Sequence, residues 1–469
     1  MPTFAHDPII WLPMSDMQQN IDYRQFLSDH PEVDQIELLL PDNNGVLRGK
    51  RVPADKLPDV TENGILLPGS TFALDFAGNC IDETGLVWDE GDSDRPCLPV
   101  AGSLSVIPWM ERSCAQMLIS MHEVGGQPFF ADPRHALAAS VKALRKIGLF
   151  PVVAVELEFY LIDRQATPDG YPMAPISPVT GLREQDTQVY GIDALADYDA
   201  FMSTTRDFAA AQNIPSDAMV AEYAPGQFEI NLQHVNDPLA AGDHAILLKR
   251  IIKAAARQHS MDATFMAKPF AGQSGNGMHI HISLLNEHGE NVFAGDGEKP
   301  NDYLKFAIGG LQETMAEAMA ILLPNRNSYK RLETGTYAPT APTWGINNRT
   351  VALRIPAGRD EARRIEYRVA GADANPYLVL ATVLDSIHHG IGEQRLPSKI
   401  TTGNGYEKHA STLPVRPDAA FTAFDEGAIL RRYFGEDLYQ VIGHCRRQEI
   451  RRFEAKISPL EHDRFLRPA

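Results

Sequence analysis

The sequence predicts an α+β protein, with a small strand-rich N-terminal domain ahead of a larger domain in which one-sided strands alternate with helices. Three observations predict it. Residues 60–118 are short, Gly- and Pro-punctuated stretches with little helical period. At Asp132-Pro133 a cap followed by proline opens a helix, and helical spacing dominates from there on. Between the later helices lie five stretches that alternate strictly between apolar and functional side chains.

The 469 residues suit two or three domains, or one large domain with a smaller partner. We expect a loose arm over 1–20, the small domain over 21–125 and the large domain over 126–469. Residues 36–52, IELLLPDNNGVLRGKRV, read as two strands around a turn at Asp42-Asn43-Asn44-Gly45. Leu137, Val141 and Leu144 follow the Asp132 cap at helical spacing, and Gly148 stops that helix. Further helices are expected over 197–213, 237–260, 301–322, 373–390, 418–434 and 437–456. Asn236-Asp237-Pro238 and Ala374-Asn375-Pro376 supply two of their starts.

Composition narrows the function. Hydrophobic residues make up 44% and charged residues 22%, ordinary for a soluble globular chain. The net charge of -18, from 61 acidic against 43 basic residues, disfavours nucleic acid or an anionic membrane as partner. Cysteines 80, 97, 114 and 445 form no CxxC pair, which fits a reducing cytoplasm. The opening MPTFAHDPIIWLPMSD lacks the features of a secretory signal. No apolar run reaches the roughly 18 residues that a membrane span needs.

The five one-sided strands carry the chemistry. In VVAVELEFYLI (152–162), Glu156 and Glu158 oppose Val153, Val155, Leu157 and Phe159. In GQFEINL (226–232), Gln227, Glu229 and Asn231 oppose Phe228, Ile230 and Leu232. In GMHIHISLL (277–285), His279, His281 and Ser283 oppose Met278, Ile280, Ile282 and Leu284. In TVALRIP (350–356) Arg354 opposes Val351, Leu353 and Ile355. In RIEYRVA (364–370) Glu366 and Arg368 oppose Ile365, Tyr367 and Val369. A solvated face would hold more Lys, Thr and Gln. Apolar faces packed on the intervening helices leave the polar faces to line a shared cavity.

Carboxylates crowded in a cavity repel, and they protonate unless a cation joins them. Glu156, Glu158, Glu229 and Glu366, with Glu222 across a Pro-Gly turn, therefore imply metal. Oxygen ligands with one imidazole, His279, suit Mg²⁺ or Mn²⁺. Five carboxylates exceed the needs of one magnesium ion that keeps its waters, so at least two ions are expected. Arg326, Arg331, Arg349, Arg354, Arg359, Arg363, Arg364 and Arg368 supply forks for phosphate or carboxylate. Arg363 and Arg364, as strand neighbours, cannot both face the cavity. Metal ions with arginines are the parts of phosphoryl-transfer chemistry, yet the chain has no P-loop and no protein-kinase signature.

The segments VELEFYL, EYAPGQFEI, MAKPF, GNGMHIHISL, NSYKRL, APTWGINNRTVALRIP and ARRIEYRVAGADANPYLVLA resemble the glutamine synthetase family in order and spacing. The resemblance implies an N-terminal β-grasp domain and a catalytic domain with a curved antiparallel sheet flanked by helices. It implies hexameric rings, commonly stacked into dodecamers, with active sites between subunits. The chemistry it implies is ATP-dependent phosphorylation of the glutamate γ-carboxylate, followed by displacement of phosphate by an amine. Carried over by position, Glu158, Glu222 and Glu229 would hold one ion, and Glu156, His279 and Glu366 the other. His281 and Ser283 match nucleotide positions, and Arg349 and Arg354 the arginines that stabilise the transferring phosphoryl group. Gly275, Arg331 and Arg368 match glutamate-binding positions.

Departures from the family pattern concern the amine. Glutamine synthetases deprotonate ammonium with carboxylates, one in a PGYEAP flap and one in a DGSS motif. Here the flap reads Glu333-Thr334-Gly335-Thr336-Tyr337-Ala338-Pro339, with Tyr337 in the carboxylate's place. The DGSS counterpart is Leu67-Pro68-Gly69-Ser70-Thr71, with Pro68 at the aspartate and Asp75 a nearby substitute. Tyr337 and Trp344 are expected to flank an alkyl chain or an ammonium head. Ser274 stands where asparagine is usual, and Tyr406 in GNGYEK is a poor match to the adenylylation site. These features resemble the γ-glutamylpolyamine and glutamate–putrescine ligases. The sequence thus points to a ligase acting on glutamate, ATP and an amine, in amine or polyamine catabolism. The alternatives are an ammonia-using glutamine synthetase or a monoamine ligase. A non-enzymatic relative is disfavoured because all six ligand positions and the phosphate arginines are present.

Overall fold

In a computed structural model, residues 22–89, 91–186, 189–295 and 299–468 are described; the arm expected over 1–20 lies outside them. Two sheets organise the chain. The first holds six strands: β1 (Gln35–Pro41), β2 (Leu47–Pro53), β3 (Ile65–Pro68), β4 (Asp94–Pro99), β5 (Ser105–Val106) and β6 (Cys114–Met121). Its order is β2-β1-β6-β4-β3, with β5 also on β6, and only β1 and β6 pair parallel. The second holds eight: β7 (Phe150–Asp163), β8 (Ser216–Ala221), β9 (Gln227–Leu232), β10 (Met261–Thr264), β11 (Met278–Leu285), β12 (Trp344–Ile346), β13 (Leu353–Ile355) and β14 (Ile365–Tyr367). Its order is β12-β13-β14-β11-β7-β9-β8, with β10 beside β7. All its pairs are antiparallel except β12 with β13.

Period-2 alternation sorts the side chains of both sheets. On β1, Ile36, Leu38 and Leu40 enter the small core, while Leu39 points into the large one. On β7, Val153, Val155, Leu157 and Phe159 enter the large core together with Ile246, Ile251 and Ile252 of the helix Pro238–Gln258. That helix is capped by Asp237, whose side chain accepts from Leu239 N, as the Asn-Asp-Pro start predicts. Helices Pro133–Lys146, Asp302–Leu322 and Pro376–Gly392 complete the layer behind the sheet, near their expected bounds.

Residues 60–118 carry little α-helix, as their spacing predicts; the helix Leu57–Asn63 reaches into them, with Leu57 and Val60 buried and Pro58 in its first turn. Seven residues give too short a window for a periodic signal. The helix expected over 418–434 is two, Pro417–Glu426 and Ile429–Phe434. The cause is Glu317, whose carboxylate accepts from the N–H groups of Leu430 and Arg431 and so starts the second helix. The stretches 350–356 and 364–370 contribute only three paired residues each.

The β1–β2 turn, Asp42-Asn43-Asn44-Gly45, is buried rather than solvated. Asn375 Nδ2 donates to Asp42 O at 2.8 Å, and Arg446 donates to Asn43 O at 2.7 Å and to the Asn44 side chain. A polar turn thereby joins the small sheet to two helices of the large part. Arg446→Met keeps most of the aliphatic volume but orphans those acceptors. It is expected to cost about 3 kcal/mol, measured as a lower urea midpoint with an unchanged slope. A loss below about 1 kcal/mol would mean that water replaces the guanidinium.

Candidate active site

One cavity of about 230 Å³ opens on the polar face of the second sheet. Its wall includes Glu156, Glu158, Glu222, Glu229, His279 and Glu366, the six side chains expected to ligate metal. Gly275, Arg331, Tyr337, Arg349, Arg354 and Arg368 line it as well. His281 and Ser283, expected on the nucleotide side, stand apart from the lining, as do Arg326, Arg359, Arg363 and Arg364. His281 lies beside it, on the same face of β11 as His279. Its Nε2 is 2.7 Å from Glu156 Oε1, and its Nδ1 accepts from Arg364 Nε at 3.0 Å. Arg363, which follows the short turn Asp360–Ala362 ahead of β14, turns instead to Asp360.

Strand register builds this wall. Glu156 is opposite His279 on β11 and Asn231 on β9, and Glu158 is opposite Glu229. Glu366 on β14 faces His281 and Arg354. Directly opposed carboxylates are destabilising on a sheet unless a cation intervenes. The loop before β11 closes one end. Gly277 N donates to Glu158 Oε2 at 2.6 Å, and Gln227 Nε2 holds Gly275 O at 3.1 Å. A Cβ on Gly277 would lie 2.5 Å from Arg331 Nη2 and 2.9 Å from His279 Nε2.

The electrostatics divide the wall in two. Burial opposes ionisation of Glu366, but Arg368 and His279 outweigh it and hold its carboxyl down at about 2. Burial likewise opposes ionisation of Glu156, and His281 and His279 keep it well below the usual carboxylate range. In the other half compensation is weaker, Arg349 and Arg368 offsetting only part of the burial of Glu222. Burial, then the charge of Glu158, pushes Glu222 up to about 8. Burial, then Glu156 and Glu158, raises Glu229 well above its ordinary value.

Two groups of ligand atoms converge within 4.8 Å: Glu156, His279 and Glu366, and Glu158, Glu229 and His279. The first is the expected set. In the second, His279 stands where Glu222 was expected. Glu222 follows the end of β8, and its backbone N–H is tied to Gln227 O, so a turn rather than a strand sets its side chain. Several buried wall atoms lack partners among the described residues: Gln227 Oε1, Asn231 Oδ1, Arg354 Nε and Arg368 Nε. Orphaned acceptors beside carboxylates, facing orphaned guanidinium N–H groups, fit hard cations together with an anionic ligand.

The expected acceptor region needs one correction. Trp344 does not line the cavity; it is 5% exposed and its Nε1 donates to Ser398 O at 2.7 Å. Its place beside Tyr337 is taken by Tyr223, with ring centroids 5.4 Å apart, and Tyr190 lines the same cavity. Both tyrosines were missed, although Tyr223 adjoins Glu222 in EYAPGQFEI. Asp75 is no free substitute for the aspartate of the DGSS motif, because Asn79 and Arg452 occupy its oxygens.

The catalytic-domain description of glutamine synthetase matches residues 130–465. The chain is 44% identical to gamma-glutamylputrescine synthetase PuuA of Escherichia coli (strain K12), over 95% of this chain and 94% of that protein. It is 32% identical to glutamate--isopropylamine ligase of a Pseudomonas species, over 96% and 98%. Its fold superimposes on a solved GmaS/ADP complex with a TM-score of 0.82 at 29% identity, over 95% of this chain and 99% of the other.

Proton competition gives a test of the wall. In ion-free protein burial and neighbouring carboxylates favour the protonated forms of Glu222, whose carboxyl is pushed up to about 8, and of Glu229, so a cation competes with protons there. Affinity for Mn²⁺ is therefore expected to climb as pH rises from 6 to 8 and to flatten once Glu222 is ionised. Calorimetric titration at pH 6, 7 and 8 measures it. A flat profile would mean that the carboxylates are already ionised. Gly277→Ala is expected to weaken Mn²⁺ binding about tenfold or more while leaving the circular-dichroism spectrum unchanged.

Proposed function

The chain belongs to the glutamine synthetase family, and from that premise we propose that it joins the γ-carboxylate of glutamate to an amine, using ATP. In the first step a γ-carboxylate oxygen attacks the γ-phosphorus of ATP and ADP leaves. In the second, the amine nitrogen attacks the γ-carbon, phosphate leaves, and the nitrogen gives up a proton. The observation that carries this reading is the convergence of six candidate ligands and four arginines on one cavity.

In this reading Glu156, His279 and Glu366 hold one Mg²⁺ or Mn²⁺ ion. Glu158 and Glu229, with Glu222 beside them, hold a second. Such ions supply charge neutralisation for phosphoryl transfer. Arg349 and Arg354 stabilise charge on the transferring group. Gly275, Arg331 and Arg368 bind glutamate. The deep burial of Arg331 and Arg368 supports this, since fixed guanidinium forks suit a carboxylate. His281 orients Glu156, and Ser283 lies on the nucleotide side.

The acceptor is an aliphatic diamine or polyamine such as putrescine or spermidine. Two findings support this: Tyr337 replaces a flap carboxylate, and PuuA is similar over nearly the whole length. A monoamine is the second reading, favoured by the likeness to the isopropylamine ligase. Residues 21–125 form a β-grasp domain and 126–469 the catalytic domain, a division supported by the two separate sheets. Subunits assemble into a hexameric ring or a dodecamer, with active sites between neighbours. Four unpaired cysteines, three of them buried, support a reducing cytoplasmic setting.

Phosphate release with ATP, Mg²⁺ and glutamate tests the reaction across ammonium, methylamine, ethylamine, putrescine and spermidine. A γ-glutamyl adduct, formed fastest with a diamine or polyamine, is expected. Glutamine formed preferentially from ammonium would overturn the acceptor assignment. Glu229→Ala and Glu366→Ala are each expected to reduce turnover at least about a thousandfold. Retained activity would refute the ligand assignment. Tyr337→Glu is expected to move preference toward ammonium.

A further inference from the structure

The acceptor side of the cavity holds a feature that the sequence did not disclose. Tyr337 lies in the loop 333–339 with a backbone φ of 59°, a conformation that costs a bulky residue strain. The loop is fastened at both ends. Lys268 Nζ meets Glu333 Oε2 at 3.1 Å, and the Tyr406 hydroxyl donates to Ala338 O at 2.9 Å. Between these anchors, Gly335 has no atom near its Cβ position, so the middle of the loop gains no packing there. What meets the Tyr337 side chain is Tyr223. The ring centroids are 5.4 Å apart and the planes are tilted by 36°. An aromatic contact of this kind is comparable in size to the cost of a left-handed residue.

The separation fixes what the pair can do. Rings in contact leave no room for a methylene chain between them. They act as one wall rather than as two jaws of a clamp. Both rings line the cavity with Glu222, and Tyr337 is 41% and Tyr223 39% exposed, so the wall stands at the mouth rather than at the floor. Its π faces carry no formal charge. They suit the alkyl chain of an amine and attract a second, distal ammonium group. They offer little to bare ammonium, which does not reach the mouth once its nitrogen is at the reacting carbon.

We propose that Tyr223 is a positioning residue for acceptor selectivity: it holds Tyr337 upright, so that the two rings form one uncharged wall that reads the chain and the distal cation of a diamine. The proposal rests on the glutamate–amine ligase reading. Tyr223 acts on binding of the acceptor, not on phosphoryl transfer, and its effect grows with acceptor length.

The test uses the full-length protein and the acceptors ammonium, methylamine and putrescine. Tyr223→Ala is expected to raise the KM for putrescine about tenfold. The KM for glutamate, the kcat and the KM for ammonium or methylamine should change less than about twofold. Tyr223→Phe keeps the ring contact and is expected to recover most of the loss. Because Tyr223 acts through Tyr337, the double variant with Tyr337→Ala should be no worse than the poorer single variant. Unchanged putrescine KM in Tyr223→Ala would overturn the proposal, as would equal losses for every acceptor or additive losses in the double variant. Those outcomes leave the ligase reading intact if the wild type still forms the putrescine adduct. A wild type that forms no adduct with any amine sinks both.

Discussion

Glu158 and Glu229 stand directly opposite one another across β7 and β9, on a face where burial already disfavours charge. Like charges so placed repel, and the remainder of the polar face is arranged around that repulsion. Glu366 is satisfied from within, between Arg354 and Arg368. Glu156 is satisfied by His279 and His281. Arg349 and Arg368 offset only part of the burial of Glu222, and burial with the surrounding carboxylates raises Glu229 well above its ordinary value. The chain thus keeps the carboxyls of one half of its cavity disposed to ionise and those of the other half disposed to hold a proton.

That division explains why the scaffold is stiff where it is. The acidic side chains stand on strands whose opposite faces enter a continuous core, so a shifted register would carry them into the helices. The helices are fixed in turn by polar ties, such as Arg134 with Asp243, at 2.9 Å, and Tyr377 with the same carboxylate, at 2.7 Å. Even the β1–β2 turn is drawn into this frame, buried against Asn375 and Arg446. Ligand groups that must sit within a few ångströms of each other need such support.

The tyrosine-lined side of the cavity is built differently. Tyr190, Tyr223 and Tyr337 come from turns and loops, and Tyr190 and Tyr337 have left-handed backbones. Loops on a rigid frame tolerate substitution, which is how one reaction serves several acceptors. The relatives fit this division: their names differ in the amine, not in the glutamyl half of the reaction.

Much of this was legible in the sequence, and the reason is periodicity. Alternation of period two placed Glu156, Glu158, Glu229, His279, Arg354 and Glu366 on polar faces, and capped helical runs placed the layer behind them. Residue chemistry then implied cations and an anionic substrate. What sequence alone did not reach are contacts between segments far apart in the chain. Tyr223 meets Tyr337, Trp344 withdraws into the core, and His279 comes as close to Glu158 and Glu229 as it does to Glu156 and Glu366. Glu317 breaks a helix more than a hundred residues away. Periodicity states which face of an element a side chain occupies. Only tertiary packing decides which other element that face will meet, because that choice depends on register, turn geometry and burial summed over the whole fold.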